Sequence, residues 1–236
     1  MQSKSLIDWS NAWISLMKSP GEYKEVIEQW QEPIQPCWKR KFWKVELGYR
    51  KNSEKDRGEQ KHERALLGRK GCIGFKTIAL RGGQYPFLGI YSDMRLASDF
   101  RERKARGQFI ADAFGITYIG GRWHPLAVEV KDTNQNVWYA IVENLRQIRM
   151  LRANETNMNA FLSEIGLDKA NGAWGMVLAP RKYYERCKRD GNKSWECSIK
   201  LLSELKKKNA RICLAITDNL DDGKIEVIEG NWSVQG

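Results

Sequence analysis

The stretch PLAVEVKD, Pro125 to Asp132, decides how this chain is read. Leu126, Val128 and Val130 are apolar at every second position, and successive side chains of a strand point to opposite faces. Ala127, Glu129 and Lys131 therefore share the other face. Either that face is solvated and its charges are incidental, or the charges stand over a site. Upstream, QFIADAFGITYI (108–119) is rich in strand formers, and Gly120-Gly121 turns the chain back into Trp123 to Lys131. Asp112 lies between Ile110 and Phe114 at two-residue spacing, so a regular strand points it the way they point. A carboxylate on an apolar face costs free energy unless it is paired, hydrogen-bonded or bound to a metal.

Downstream, Asp132 to Asn136 is a polar loop. Val137 to Arg152 then carries Val137, Ile141, Leu145 and Ile148 at helical spacing. WGMVL (174–178) is a compact apolar strand closed by Pro180, and RICLAIT (211–217) a buried one. Helices are expected over Arg181 to Lys188 and Ser194 to Lys208. Asp221-Asp222-Gly223 reads as a turn before an edge strand, Ile225 to Ile228. In the first part of the chain, residues 1–32 are helical in pattern (Leu6, Trp9, Trp13, Leu16, Met17), with a break at Ser19-Pro20-Gly21. Strands are expected at Lys41 to Arg50, Cys72 to Ala79 and Tyr85 to Tyr91. Lys51 to Glu63 reads as an exposed charged loop, and Asp93 to Ala105 as a basic helix. This order predicts an α/β (α+β) fold, a mixed central sheet flanked by helices. Residues 93–236 would form the core, and residues 1–92 a helical and β extension that supplies recognition.

The charge balance is 40 Lys+Arg against 29 Asp+Glu, a formal +11 with a pI near 9.4. An excess of this size favours polyanionic partners. The basic residues are spread over Lys39 to Lys41, Arg101 to Arg106, Arg181 to Arg189 and Lys206 to Lys208, which suits a broad surface better than a tail. Ten tryptophans, with Trp9, Trp13, Trp30, Trp38 and Trp43 early in the chain, point to an aromatic packing unit there. Five cysteines without a CxxC pair and two histidines argue against a structural zinc. MQSKSLIDWSNAW lacks the apolar run of a signal peptide, and no segment reaches the ~20 apolar residues of a membrane span, so the expected setting is the cytoplasm.

Asp112 and Glu129 fall on adjacent strands joined by a short turn. Two carboxylates brought together repel, and a divalent cation with a taste for oxygen, Mg2+ or Mn2+, relieves that. Lys131 stands on the face of Glu129, about 7 Å further along the strand. An ammonium there can orient a nucleophilic water or offset charge on a phosphorane-like transition state. Together the three make a site for attack on a phosphodiester.

The constellation resembles the PD-(D/E)xK nuclease superfamily, whose signature is an acidic residue on one strand, (D/E)-x-K on the next, and then a helix. Here these are Asp112, Glu129-Val130-Lys131 and Val137 to Arg152, within a resemblance spanning about residues 95–217. Ala111 stands where the signature has proline. Glu102 is the one acidic residue placed to match the glutamate often found on an upstream helix, and Gln147 in ENLRQ fits a downstream glutamine. The resemblance implies a restriction-endonuclease-like core and a metal-dependent DNA endonuclease. Asp112, Glu129 and the Val130 carbonyl would hold the metal, Lys131 would assist the attacking water, and Gln147 would support the site. Arg101, Arg103, Lys104, Arg106, Arg181 and Lys182 would contact phosphates. His124, at the start of the second strand, is either a phosphate neighbour or structural. The alternative expectation is a nucleic-acid-binding protein of the same fold without chemistry, and a weaker third is a recruitment subunit for an acidic protein. A homodimer or larger complex fits double-strand cutting.

Overall fold

A computed structural model describes residues 6–34, 48, 58–68, 72–80, 83–95, 110–132, 136–168, 170, 172–189 and 193–232. Strand β1 (Gly74–Leu80), β2 (Gly83–Arg95), β3 (Ile110–Ile119) and β4 (Arg122–Val130) form an antiparallel meander. Then β5 (Trp174–Ala179) lies parallel to β4, and β6 (Ile212–Ile216) parallel to β5. The last strand, β7 (Lys224–Gly230), runs antiparallel to β6 and parallel to β1. The sheet is a closed barrel.

This corrects the expected open central sheet flanked by helices, and with it the restriction-endonuclease-like core. The finding that overturns it is the β1–β7 seam, which pairs Thr77 with Lys224, Ile78 with Ile225 and Ala79 with Glu226. The Thr77 N–H also donates to the Gly223 carbonyl at 2.8 Å. The segment expected as an edge is thus paired on both sides. Closure gives partners to the N–H and C=O groups an edge leaves open. It also encloses a core: Ile78, Phe87, Val128, Met176, Leu178 and Ile225 are fully buried inside. Gly115 is required there, because a Cβ would sit 2.4 Å from the Phe87 ring.

Helix α1 (Leu6–Met17) and α2 (Tyr23–Gln31) form the aromatic unit expected at the start of the chain. Trp9 and Trp13 meet edge to face at 5.8 Å, and Trp30 Nε1–H donates to the Lys208 carbonyl. Helix α3 (Glu59–Leu67) occupies the end of the stretch expected to be a loop. It lies across the barrel end where β1 begins and β4 to β6 finish; Leu66 and Leu67 press directly on the paired glycines Gly74 and Gly89. The remaining helices are α4 (Val137–Ala153), α5 (Glu155–Glu164), α6 (Arg181–Arg189) and α7 (Lys193–Lys207). No sequence pattern had pointed to α5. Asp93 to Arg95 belong to β2 and not to a basic helix. The rest of that proposed helix lies outside the described residues, as does the strand expected at Lys41 to Arg50 apart from Gly48, whose N–H donates to the Ile90 carbonyl. Among the described residues no helix is long and apolar enough to cross a membrane.

α4 positions the site. Asn136 starts it, its side-chain oxygen accepting from the Tyr139 N–H at 2.8 Å. It packs on the outer face of β3, β4 and β5 and is covered in turn by α1, α2 and α7. Trp138 and Leu145 fill this layer, and Trp138 Nε1–H donates to the Leu16 carbonyl at 2.8 Å. With so much of its circumference buried, polar residues on α4 must find partners inside the protein.

Candidate active site

Leu126, Val128 and Val130 point into the barrel as the alternation required, and Glu129 and Lys131 point out. The outer face is not wet. α4 covers it, leaving Glu129 3% and Lys131 6% exposed. Carrying the β3–β4 register one step past its last pair, Ala113 with Val128, sets Asp112 opposite Glu129. At that point the two strands part. β3 stays with β2 as far as Ile110, β4 stays with β5 as far as Val130, and the Val130 N–H donates to Asp112 Oδ2 at 2.8 Å. A side-chain carboxylate replaces the ladder at the fork.

α4 fills the fork. Gln147 donates from Nε2 to Glu129 Oε2 and, at 3.4 Å, to the Ile110 carbonyl, so it ties both strands. Asn144 holds Gln147 in turn: its Nδ2 donates to Gln147 Oε1 and to the Ala127 carbonyl, both at 3.0 Å. Lys131 Nζ bonds Glu129 Oε1 on its own strand and Glu143 Oε2 on α4, the latter at 3.0 Å. Arg146 Nη2 stands 3.9 Å from the other Glu143 oxygen. Tyr139 lies beneath the ammonium, 5.9 Å from it.

Asp112, Glu129, Lys131 and Gln147 are therefore brought together. Glu143 was not anticipated, although Tyr139, Glu143 and Gln147 recur every four residues and so share one helix face. Arg181 is committed elsewhere: its Nη2 bonds both oxygens of Glu226, and its N–H donates to Asp218. Lys182 reaches a separate cavity of about 440 Å³ at the barrel end, shared with Lys61, His62, Asp132 and Thr217. His124 sits at the opposite end of β4, stacked on Trp174 at 4.0 Å with Nε2 3.2 Å from the Ile119 carbonyl, which is a structural placement. Arg101, Glu102, Arg103, Lys104 and Arg106 lie outside the described residues.

Burial is the main force on every charge here. It pushes the Asp112 carboxyl up to about 6, against the pull of Lys131 and the Val130 N–H. It raises Glu129 well above the carboxylate range, and repulsion from Asp112 and Glu143 adds to that. Burial also opposes the charge on Lys131, but Glu129, Glu143 and Asp112 outweigh it and hold the ammonium protonated beyond its ordinary range. Glu143 is likewise opposed by burial, yet Lys131, its hydrogen bond and Arg146 keep it ionised. Glu129 is thus the group that takes up a proton, and Lys131 the one that keeps its own.

Among the described residues no group of three or more His, Cys, Asp or Glu side chains is gathered to hold a metal ion. Mg2+ needs only one or two protein carboxylates with water. Asp112 and Glu129, facing each other with raised pKa values, fit that need, since a divalent cation would remove the repulsion that raises them.

Comparison with protein-family models, with curated proteins and with solved structures gives no significant match.

Proposed function

We propose that the protein is a metal-dependent endonuclease hydrolysing phosphodiester bonds, with DNA as its substrate. The observation that carries this reading is the fork itself: Asp112 and Glu129 face each other where β3 and β4 part, with a protonated lysine bonded to the second carboxylate. The order acidic residue, E-x-K and helix glutamine supports a site like that of the PD-(D/E)xK nucleases, carried on a different fold.

Asp112, Glu129 and the Val130 carbonyl would hold Mg2+ or Mn2+. The cation, when bound, would polarise a phosphoryl oxygen and lower the pKa of water. Lys131 stays protonated and so is a donor, not a base: it orients the attacking water and offsets negative charge developing on phosphorus. The water oxygen would bond to phosphorus and give up one proton to surrounding solvent, the bridging P–O bond would break, and the departing alkoxide would take up a proton from solvent. Gln147, buried and bonded to both strands, positions Glu129 and does not reach substrate. Arg181 and Lys182 would contact phosphates, Arg181 by loosening its exposed pairing with Glu226.

One observation favours the second reading, a nucleic-acid-binding protein without chemistry. Both oxygens of Glu129 are already engaged, by Lys131 and Gln147, so a metal must displace one of them. The experiment is cleavage of plasmid and linear DNA in Mg2+ and Mn2+ by wild type, Asp112→Ala and Lys131→Ala. The endonuclease reading expects metal-dependent cutting by wild type alone. Cutting retained in both variants, or absent from wild type in either metal, overturns it.

A further inference from the structure

A second charged concavity lies at the other end of the barrel, where β4, β5 and β6 begin. From Lys131 it is more than about 20 Å along β4 at the ordinary strand rise. The cavity has a volume of about 630 Å³, and Arg122, Arg152 and Arg211 line it. His124 and Trp174, stacked on each other, form part of its wall. Among the described residues Glu155 is the single carboxylate in the lining, and it is exposed.

Two of the three guanidinium groups are fixed before any ligand arrives. Arg152 donates to the carbonyls of Ala173 and Asn209 and lies 5.0 Å over the Trp30 ring. Arg211 Nη1 donates to the Lys206 carbonyl at 3.1 Å. Each guanidinium has five N–H donors, so these bonds leave others to offer. Arg122 is exposed at the rim. α5 begins at the same wall, directly after the end of α4. Like charges held this close repel: burial, with Arg149 and Arg211, draws the Arg152 guanidinium down to about 10. An anion would relieve that repulsion.

We propose that this cavity binds a terminal phosphate monoester, with Arg122, Arg152 and Arg211 as its anchors. Several cations converging on one concave spot match a dianion better than the single charge of a backbone diester. The phosphate can come from a small phosphate compound or from the phosphorylated end of a nucleic-acid strand. The site stands independently of the reaction proposed at Lys131.

The test is calorimetric titration of the whole chain in EDTA, so that no metal-dependent cutting intervenes. The probes are inorganic phosphate and one single-stranded oligonucleotide with a 5′-phosphate, a 3′-phosphate or hydroxyl ends. The variants are Arg122→Glu and Arg211→Gln; Arg152 is left intact because it holds backbone carbonyls. We expect one site per chain, with the Kd of the best phosphate-bearing probe raised at least about tenfold by each substitution. Inorganic phosphate binding as well as the oligonucleotides supports a small-compound source. Tight binding of phosphorylated ends alone supports a strand terminus. No binding by any probe, equal binding of hydroxyl and phosphorylated ends without phosphate binding, or the same Kd in both variants would each overturn the proposal.

Discussion

Lys131 balances two carboxylates at once, the buried Glu129 and the half-buried Glu143, and its replacement exposes how the site is held. In Lys131→Met, Glu129 stays buried and Glu143 half-buried, with Arg146 the one cation left in an ion pair with either among the described residues. Breaking a buried ion pair by removing one partner costs about 3–5 kcal/mol. Protonation of Glu129, whose carboxyl burial holds above its ordinary range, removes part of that cost, so the loss should shrink as pH falls, as urea unfolding across a pH series would show. An equal loss throughout would mean that the carboxylates do not carry the cost. Asp112 behaves in the opposite sense from a salt-bridged aspartate. Its folded pKa of about 6 lies above the ordinary 3.8, so the folded state binds more protons between those values and stability falls as pH rises through them. Asp112→Asn should therefore stabilise the metal-free protein by up to about 3 kcal/mol above pH 6, with the gain vanishing below pH 4. The same substitution should remove any rise in melting temperature on adding Mg2+. A wild type whose melting temperature ignores Mg2+ would argue for the binding-protein reading.

At the scale of elements, the site depends on how closely α4 lies on β5. Gly175 makes that approach possible: a Cβ there would come 2.0 Å from Asn144 Oδ1 and 2.4 Å from Ile148 Cδ1. Asn144 is the residue that holds Gln147, and Gln147 holds Glu129. Gly175→Ala should cost about 1–3 kcal/mol through overpacking. It should also lower cleavage by more than its effect on folding accounts for, measured where the variant remains fully folded. Unimpaired cleavage would show that the Asn144–Gln147–Glu129 chain is not needed. Much of this element-level organisation was readable in advance. The alternation in PLAVEVKD put Glu129 and Lys131 on one face, and the apolar stripe of α4 fixed the helix. What could not be read was that the second face of β4 is dry. Solvation of a sheet face depends on what packs over it, and α4 comes from a later segment of the chain. Glu143 was overlooked for the same reason, since a charge on a helix becomes a site residue only once its face has a partner.

For the whole molecule, closure of the barrel is the feature with measurable consequences. The Thr77 N–H, bonded to the Gly223 carbonyl across the β1–β7 seam, should exchange with solvent only through global unfolding. Fast exchange of that amide beside a protected β4 would indicate an open sheet. The +11 charge should make DNA affinity fall steeply with salt, and a flat dependence between 50 and 200 mM would remove nucleic acid as the partner. Sequence alone determined the β3–β4 hairpin, the direction of each side chain along it, α4, the aromatic helices of the first part of the chain, and the basic balance. These are local: they follow from side-chain periods of two and 3.6 and from turn residues at fixed offsets. Tertiary structure alone decided that β7 pairs with β1, that the hairpin forks at Asp112, and that Lys131 is buried between two glutamates. Those outcomes rest on contacts between separate elements, where the satisfaction of backbone groups and the exclusion of water are settled jointly and leave no periodic trace in either element.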